Sequence, residues 1–339
     1  MTAVRIPLLS SVRLSRGQTQ ASLAALTRAS FGARGLSQAV ISKLEDGLIP
    51  LDDARAEVLA AVLEVPRELL DSPQSDPLLL HSFQSSLPAG QRRLLLAHAE
   101  LARVHLTRLP LRGMGAPHSG ITSHTIPKHA SWLRAHWNVG HGPIPSMVDL
   151  VEAHGIACLS RDLGSVKATA VGSWRRGSIM FLDGMADDFQ VRFAMAHELG
   201  HAVMQRSPDK STEAAADEFA SHFLLPAEEV LDDLSGVDLE KLIALERKWR
   251  VSAVRLAHRA KQLGAVSPTR HRTLIATLKS QRGGRPRRSD RERPKKVSAA
   301  VLSRVRDGES YTDVARSMLL DEAELRTGYL AGSTSRASS

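Results

Sequence analysis

The sequence predicts a multidomain, helix-rich protein: an all-α N-terminal domain, a larger α+β domain with a small antiparallel sheet, and a short helical C-terminal piece. Three observations predict it. Capping residues followed by apolar residues at helical spacing recur at short intervals between residues 8 and 72. Between 126 and 275, helical stretches give way to three short strand-like runs and then to helices again. A run without apolar periodicity, RGGRPRRSDRERPKK at 282–296, separates that block from the last helices. The boundaries drawn from these shifts are 1–75, a connecting helix and loop at 76–125, the α+β domain at 126–278, a basic linker at 279–296 and a helical segment at 297–339.

In the first domain, Thr19-Gln20 opens one helix, with Leu23 and Ala24 toward a core. Ser37 caps a second, Ser37–Leu44, which Gly47 ends. Val40, Ile41 and Leu44 give that helix its packing face, which leaves Gln38, Ser42 and Lys43 free to meet a DNA groove. Glutamine pairs with adenine edges, and lysine meets guanine or phosphate. The candidate DNA-contacting set is Gln20, Ser37, Gln38, Ser42 and Lys43. The stretch between the helices, TRASFGARG, exceeds the usual three or four residues. A small helical protein-interaction or dimerisation domain is the competing reading.

Net charge does not decide between these readings. The chain carries +9 overall, but eight basic and two acidic residues at 282–296 supply +6 of it, whereas residues 1–70 hold eight basic and seven acidic residues. The basic run reads as a solvated linker with the capacity for non-specific phosphate contacts.

The connecting region carries an amphipathic helix from Gln91 to Leu109, then a Gly/Ser/His-rich loop at 111–125. His118, His124, His129, His136 and His141 share no ligand spacing with a second cluster and read as surface and loop residues. The α+β domain opens with helices at Ile126–Trp137 and Pro145–His154. Strand-like runs follow at Gly155–Leu159, Ala168–Trp174 and Gly177–Leu182, with Arg175-Arg176-Gly177 as a hairpin turn. Helices at Asp188–Met204, Thr212–Leu225, Leu239–Trp249 and Ala253–Leu263 complete it. The final segment, GESYTDVARSMLLDEAELRTGYL, reads as two short helices, either a second helix-turn-helix or a dimer contact.

The chemistry concentrates in VRFAMAHELGHAVM. Val191, Ala194, Met195 and Leu199 make it helical, so His197 and His201, four apart, share a face and can hold one cation at about 2.0–2.1 Å. Glu198 then points toward the open side of the metal as the candidate general acid/base. The five-residue pattern also arises by chance, so the next helix matters. Twelve residues on, in TEAAADEFASHFLLP, Glu213 can be the third ligand, and Asp217, one turn later, can accept the N–H of a ligating histidine. Glu218 is the rival third ligand, although its place beside Phe219 suggests another face; a solvated acidic surface is the alternative for Glu213 and Asp217. Three protein ligands leave one position for water, which one Zn2+ per chain would acidify. Both tyrosines, Tyr311 and Tyr329, fall in the C-terminal segment, so His222 and Arg192 are the candidates for stabilising an oxyanion.

Residues 8–72 resemble an Xre-type helix-turn-helix through RG-TQ at 16–20, LSQAVISKLEDG at 36–47 and LAAVLEVPRELL. Residues 126–275 resemble the ImmA/IrrE family of zinc metallopeptidases, of zincin-like fold, through RFAMAHELGH at 192–201, EAAADEFASHFLLP at 213–226 and LERKWRVSAVRLAHRAKQLG at 245–264. The resemblance implies zinc bound by His197, His201 and Glu213, with Glu198 as catalytic acid/base. It implies a DNA-binding transcriptional regulator that cleaves a repressor or other regulatory protein in a stress, phage or mobile-element response, or else a repressor or antitoxin whose zinc domain senses or grips a partner. The partners expected are a double-stranded DNA operator, a protein substrate and a second copy in a homodimer, since such domains read two half-sites. The lone Cys158 excludes an internal disulfide and reads as a small buried hydrophobe. No apolar stretch is long enough to span a membrane, and the arginine-interrupted N-terminus makes a poor signal peptide, so the expected compartment is the cytoplasm.

Overall fold

Local capping accounts for where the first helices begin. The computed structural model describes residues 8–72, 88–111, 125–161, 170–173, 178–204, 210–280 and 292–330 of the chain. The first elements are α1 (Leu9–Ser15), α2 (Gln20–Phe31), α3 (Gln38–Glu45), α4 (Asp53–Leu63), α5 (Arg67–Leu70) and α6 (Ala89–Leu106). Thr19 Oγ1 accepts the Ser22 amide at 3.0 Å while the Thr19 amide donates to Ser22 Oγ at 2.8 Å, a reciprocal cap that starts α2. Ser37 Oγ accepts the Val40 amide and Asp52 Oδ1 the Arg55 amide, starting α3 and α4.

The turn between the first two helices is longer than three or four residues, as expected, but it spans 32–37 rather than the whole of TRASFGARG. α2 runs on to Phe31, and a single 3-10 turn, Gly32–Arg34, leads to the Ser37 cap. Buried Thr27 draws the loop in: its hydroxyl accepts the Leu36 amide at 2.9 Å and donates to the Ala24 carbonyl at 3.0 Å. Gly35 lies so close to α2 that a Cβ there would sit 2.5 Å from Arg28 Cα. Thr27 looks helix-breaking in sequence, but its hydroxyl is satisfied by main-chain groups of the helix and the loop.

The chain continues through α7 (Ile126–His136), α8 (Met147–Ala153), β1 (Ala157–Arg161), β2 (Ala170–Ser173), β3 (Ile179–Asp183), α9 (Asp188–Met204), α10 (Lys210–Leu224), α11 (Ala227–Leu234), α12 (Leu239–Trp249), α13 (Ala253–Gln262) and α14 (Pro268–Ser280). It ends with α15 (Lys296–Arg306), α16 (Tyr311–Ser317) and α17 (Glu322–Tyr329). The expected antiparallel sheet is also corrected. Strand order is β1-β3-β2; β1 pairs parallel with β3, Cys158 opposite Met180, and only β2 pairs antiparallel, Gly172 opposite Met180. β3 is the most apolar strand and takes the centre, with β1 and β2 on opposite sides of it. The turn expected at Arg175-Arg176-Gly177 lies outside the described residues, as do His118 and His124.

Two compact units result. One gathers the described residues up to 111 together with those from 296 on, so α15–α17 group with the N-terminal helices; the other is built from the described residues between 125 and 295. Leu23, Ile41, Leu44, Leu59, Leu101 and Leu319 share one core in the first unit. Buried contacts run between distant segments: Ser11 donates to Glu100 at 2.6 Å and His105 Nδ1 meets Tyr329 Oη at 2.7 Å, while Arg16 pairs with Glu324 at the surface.

The second unit has its own core, centred on Leu199, Phe219, Phe223, Leu256 and the inner faces of β1 and β3, Cys158 among them. Each large side chain fully buried there contributes about 1.5–3 kcal/mol. The solvated character expected of the basic run fails at its end. Residues 281–291 lie outside the described residues, but Glu292 is buried, ion-paired to Arg192 at 2.5 Å, and accepts the Met147 and Val148 amides at the start of α8. Among the described residues, no helix is long and apolar enough to cross a membrane.

Candidate metal centre

Almost every face of α9 is buried, so its polar side chains face other elements rather than water. α10 packs directly on it. The crossing is close because position 200 is glycine: a Cβ there would meet the Phe219 ring at 3.1 Å. That approach brings His197, His201 and Glu213 together. The two Nε2 atoms stand 3.1 Å apart, Glu213 Oε2 lies 3.3 Å from His197 Nε2, and Glu213 Oε1 lies 3.3 Å from His201 Nε2. A tetrahedral ion with arms of about 2.0–2.1 Å has edges of about 3.3 Å. Two imidazole nitrogens and a carboxylate, all able to act as acceptors and all facing one point, fit a divalent cation of the zinc type.

Electrostatics agree with this arrangement. Burial disfavours the His197 imidazolium, yet hydrogen bonds to Asp217 and Glu213 and the nearby Glu198 charge outweigh it and raise the group from 6.5 to about 9. Burial likewise disfavours a Glu213 carboxylate, but the two histidines lower it to about 2. Without an ion, a proton on His197 supplies the positive charge that the cluster of acceptors demands.

Around the trio, His197 Nδ1 lies 2.9 Å from Asp217 Oδ1, and Asp217 Oδ2 accepts from Arg255 Nη1 at 3.0 Å. With Nδ1 engaged by Asp217, Nε2 is the nitrogen that faces the trio's centre, and it is the one that would give up its proton to take an ion. Glu198 is buried, and its Oε2 accepts the Gly172 amide of β2 at 2.9 Å. Glu218 is not brought to the trio; it lies 3.8 Å from His222.

The two oxyanion candidates are corrected. Arg192 is wholly buried and donates to Glu292, the Ile144 carbonyl and the Arg250 carbonyl, so its guanidinium is committed to the fold. His222 faces Arg259, whose Nη2 donates to its Nδ1 at 3.0 Å, and burial with that cation lowers it to about 4. Three scattered histidines have structural roles: His129 Nδ1 lies 3.1 Å from the Thr125 carbonyl, His136 stacks on Trp132, and His141 meets Glu229.

Sequence reasoning missed Arg255, Phe193, the Gly172 amide and Gly200. Gly200 alone carried a signal, as a glycine in a helix interior, where glycine costs stability unless something packs against it. The DNA-contact candidates are distributed unevenly. Gln38 and Lys43 are exposed on α3 and Ser42 is half-buried, but Ser37 is used as a cap. Gln20 donates to Glu45, which also receives two bonds from Arg13, at 2.6 and 2.8 Å.

Residues 151–261, from the end of α8 to the end of α13, match the family model described as the IrrE N-terminal-like domain, Peptidase_M78, over roughly a third of the chain. That stretch is similar to metallopeptidase domains of a family that is typically zinc-dependent, and the His-His-Glu group lies within it. No curated protein matches the chain.

Proposed function

We propose that this chain is a DNA-bound transcriptional regulator whose larger unit is a zinc-dependent endopeptidase, acting on a repressor or antitoxin-like regulator in the cytoplasm. The observation that carries the peptidase reading is the convergence of His197, His201 and Glu213 at tetrahedral edge lengths, with Glu198 between the histidines in sequence and Asp217 behind His197. Those three residues would hold the ion, which when bound supplies Lewis acidity that polarises a carbonyl and acidifies water. Glu198 keeps one oxygen tied to the Gly172 amide. Its other oxygen takes the proton from the attacking water and hands it to the leaving nitrogen as the C–O bond forms and the C–N bond breaks.

The DNA-binding part rests on α2 and α3 as a helix-turn-helix pair. Gln38 and Lys43 stand exposed on α3, Ser42 is half-buried beside them, and a homodimer would read two half-sites of an operator. Quantitative proteomics of protein N-termini in wild-type and Glu198→Gln cells tests the peptidase. The expected result is one or a few new N-termini that are present only with the wild type; identical sets in both would discard proteolysis.

A second reading has support of its own. Arg192 and His222 are committed elsewhere, Tyr329 is buried against His105, and Tyr311 lies under Arg326 in the other unit. A zinc domain that senses or grips a partner without cutting it needs no oxyanion donor. Under that reading the Glu198→Gln protein keeps full operator binding and regulation.

A further inference from the structure

Asp217 is about half exposed, so burial does not hold its carboxylate in place. A carboxylate on a surface helix turns freely and can offer either oxygen to a neighbour or to water. Here Oδ1 faces His197 and Oδ2 is taken by Arg255 of α13. Arg255 is itself more than a third exposed, and the Phe193 ring holds it: the guanidinium carbon stands 3.6 Å from the ring centroid. Phe193 lies on α9, one turn before His197. Three helices therefore contribute to a chain of contacts from Phe193 through Arg255 and Asp217 to the Nδ1 of His197.

We propose that Arg255 is a positioning residue for the metal centre, fixing the Asp217 carboxylate so that His197 presents Nε2 to zinc in one tautomer and one ring orientation. The proposal rests on the reading that His197, His201 and Glu213 bind zinc. Arginine suits the task because its planar fork engages a carboxylate edge-on while its face lies on an aromatic ring, which a lysine cannot do. An exposed ion pair adds little to stability, so the pair acts through orientation. Losing a partner of this kind weakens metal affinity by about 10–100-fold.

The test measures zinc dissociation constants of the full-length protein by chelator competition, together with urea midpoints of the metal-free protein and visible spectra of the cobalt-substituted protein. Arg255→Ala is expected to bind zinc at least about tenfold more weakly, with an altered cobalt spectrum and an almost unchanged urea midpoint. Arg255→Lys is expected to fall between it and wild type. Phe193→Leu, which keeps apolar volume but removes the ring face, should weaken zinc several-fold, and it serves as the probe if Arg255→Ala does not fold. Equal affinities and spectra in wild type and variants overturn the proposal. A fall in affinity that merely tracks a fall in urea midpoint, with the cobalt spectrum unchanged, overturns it too. Wild-type protein that binds no zinc overturns the underlying zinc reading instead.

Discussion

The helix pairs α9–α10 and α2–α3 are built alike and turn their polar side chains in opposite directions. Each depends on a glycine where chain segments touch, Gly200 against Phe219 and Gly35 against Arg28. In α9–α10 the polar side chains turn inward and converge on a point a few ångströms across. In α2–α3 the apolar residues turn inward, and Gln38 and Lys43 point to solvent. A convergent site carries its own check, because its ligand atoms either stand at coordination distances or do not. A displayed surface has no such check, since its partner supplies the other half of the geometry. The candidate metal centre therefore stands on distances, whereas the proposed DNA contact stands on exposure and residue chemistry alone.

The comparison breaks first if the convergent pair fails to hold metal. Glu213→Gln is expected to take zinc from one equivalent to background by elemental analysis, while Glu218→Gln keeps one equivalent; the reverse pattern would exchange the ligands. Zinc affinity should also depend strongly on pH. In the metal-free protein His197 is raised to about 9, so its stabilising contribution is complete below 6.5 and fades as pH rises through about 9. Glu213 is lowered to about 2, so its contribution is complete above 4.5 and fades as pH falls toward about 2. Metal-free protein should be hardest to unfold with urea between these limits, near pH 4.5–6.5. Zinc must displace the His197 proton, so apparent affinity should rise by about tenfold per pH unit up to about pH 9; a flat profile would contradict the proton-holding cluster.

Two glycine substitutions sharpen the likeness between the pairs. Gly35→Ala forces a Cβ against backbone and should cost about 1–3 kcal/mol in the unfolding of its unit. Gly200→Ala meets the Phe219 side chain at 3.1 Å rather than backbone and should cost less, about 1 kcal/mol, but it should also weaken zinc. A Gly35→Ala protein as stable as wild type would refute the close approach. In the displayed pair, Gln38→Ala should reduce base preference by about 1–3 kcal/mol in operator-variant binding. Gln20→Ala should lower stability more than preference, because its amide holds Glu45.

Much of this was legible because caps and helical spacing are local. Thr19 and Ser37 each precede the helix they start, and α12 runs over the residues its apolar spacing marked. His197, His201, Glu213 and Asp217 lie at separations that two adjacent helices bring together. What was not legible depended on distant partners. β1 beside β3 reflects which strand is apolar enough for the centre, not chain order. Arg192 looked available because Glu292, a hundred residues later in a cationic run, shows no apolar pattern. Arg255 looked like any surface arginine until α13 was laid beside α10.

Glu292 also redraws where the metallopeptidase-type unit ends. A fragment stopped near residue 278, where the apolar pattern gives out, would leave a guanidinium in the dry interior with its charge unanswered and the first amides of α8 uncapped. The contacts of this unit run on to Lys295, whose amide meets Glu152. Beyond it the chain goes straight into α15 of the other unit. The segment that reads as a tether in sequence is, at its far end, a bolt.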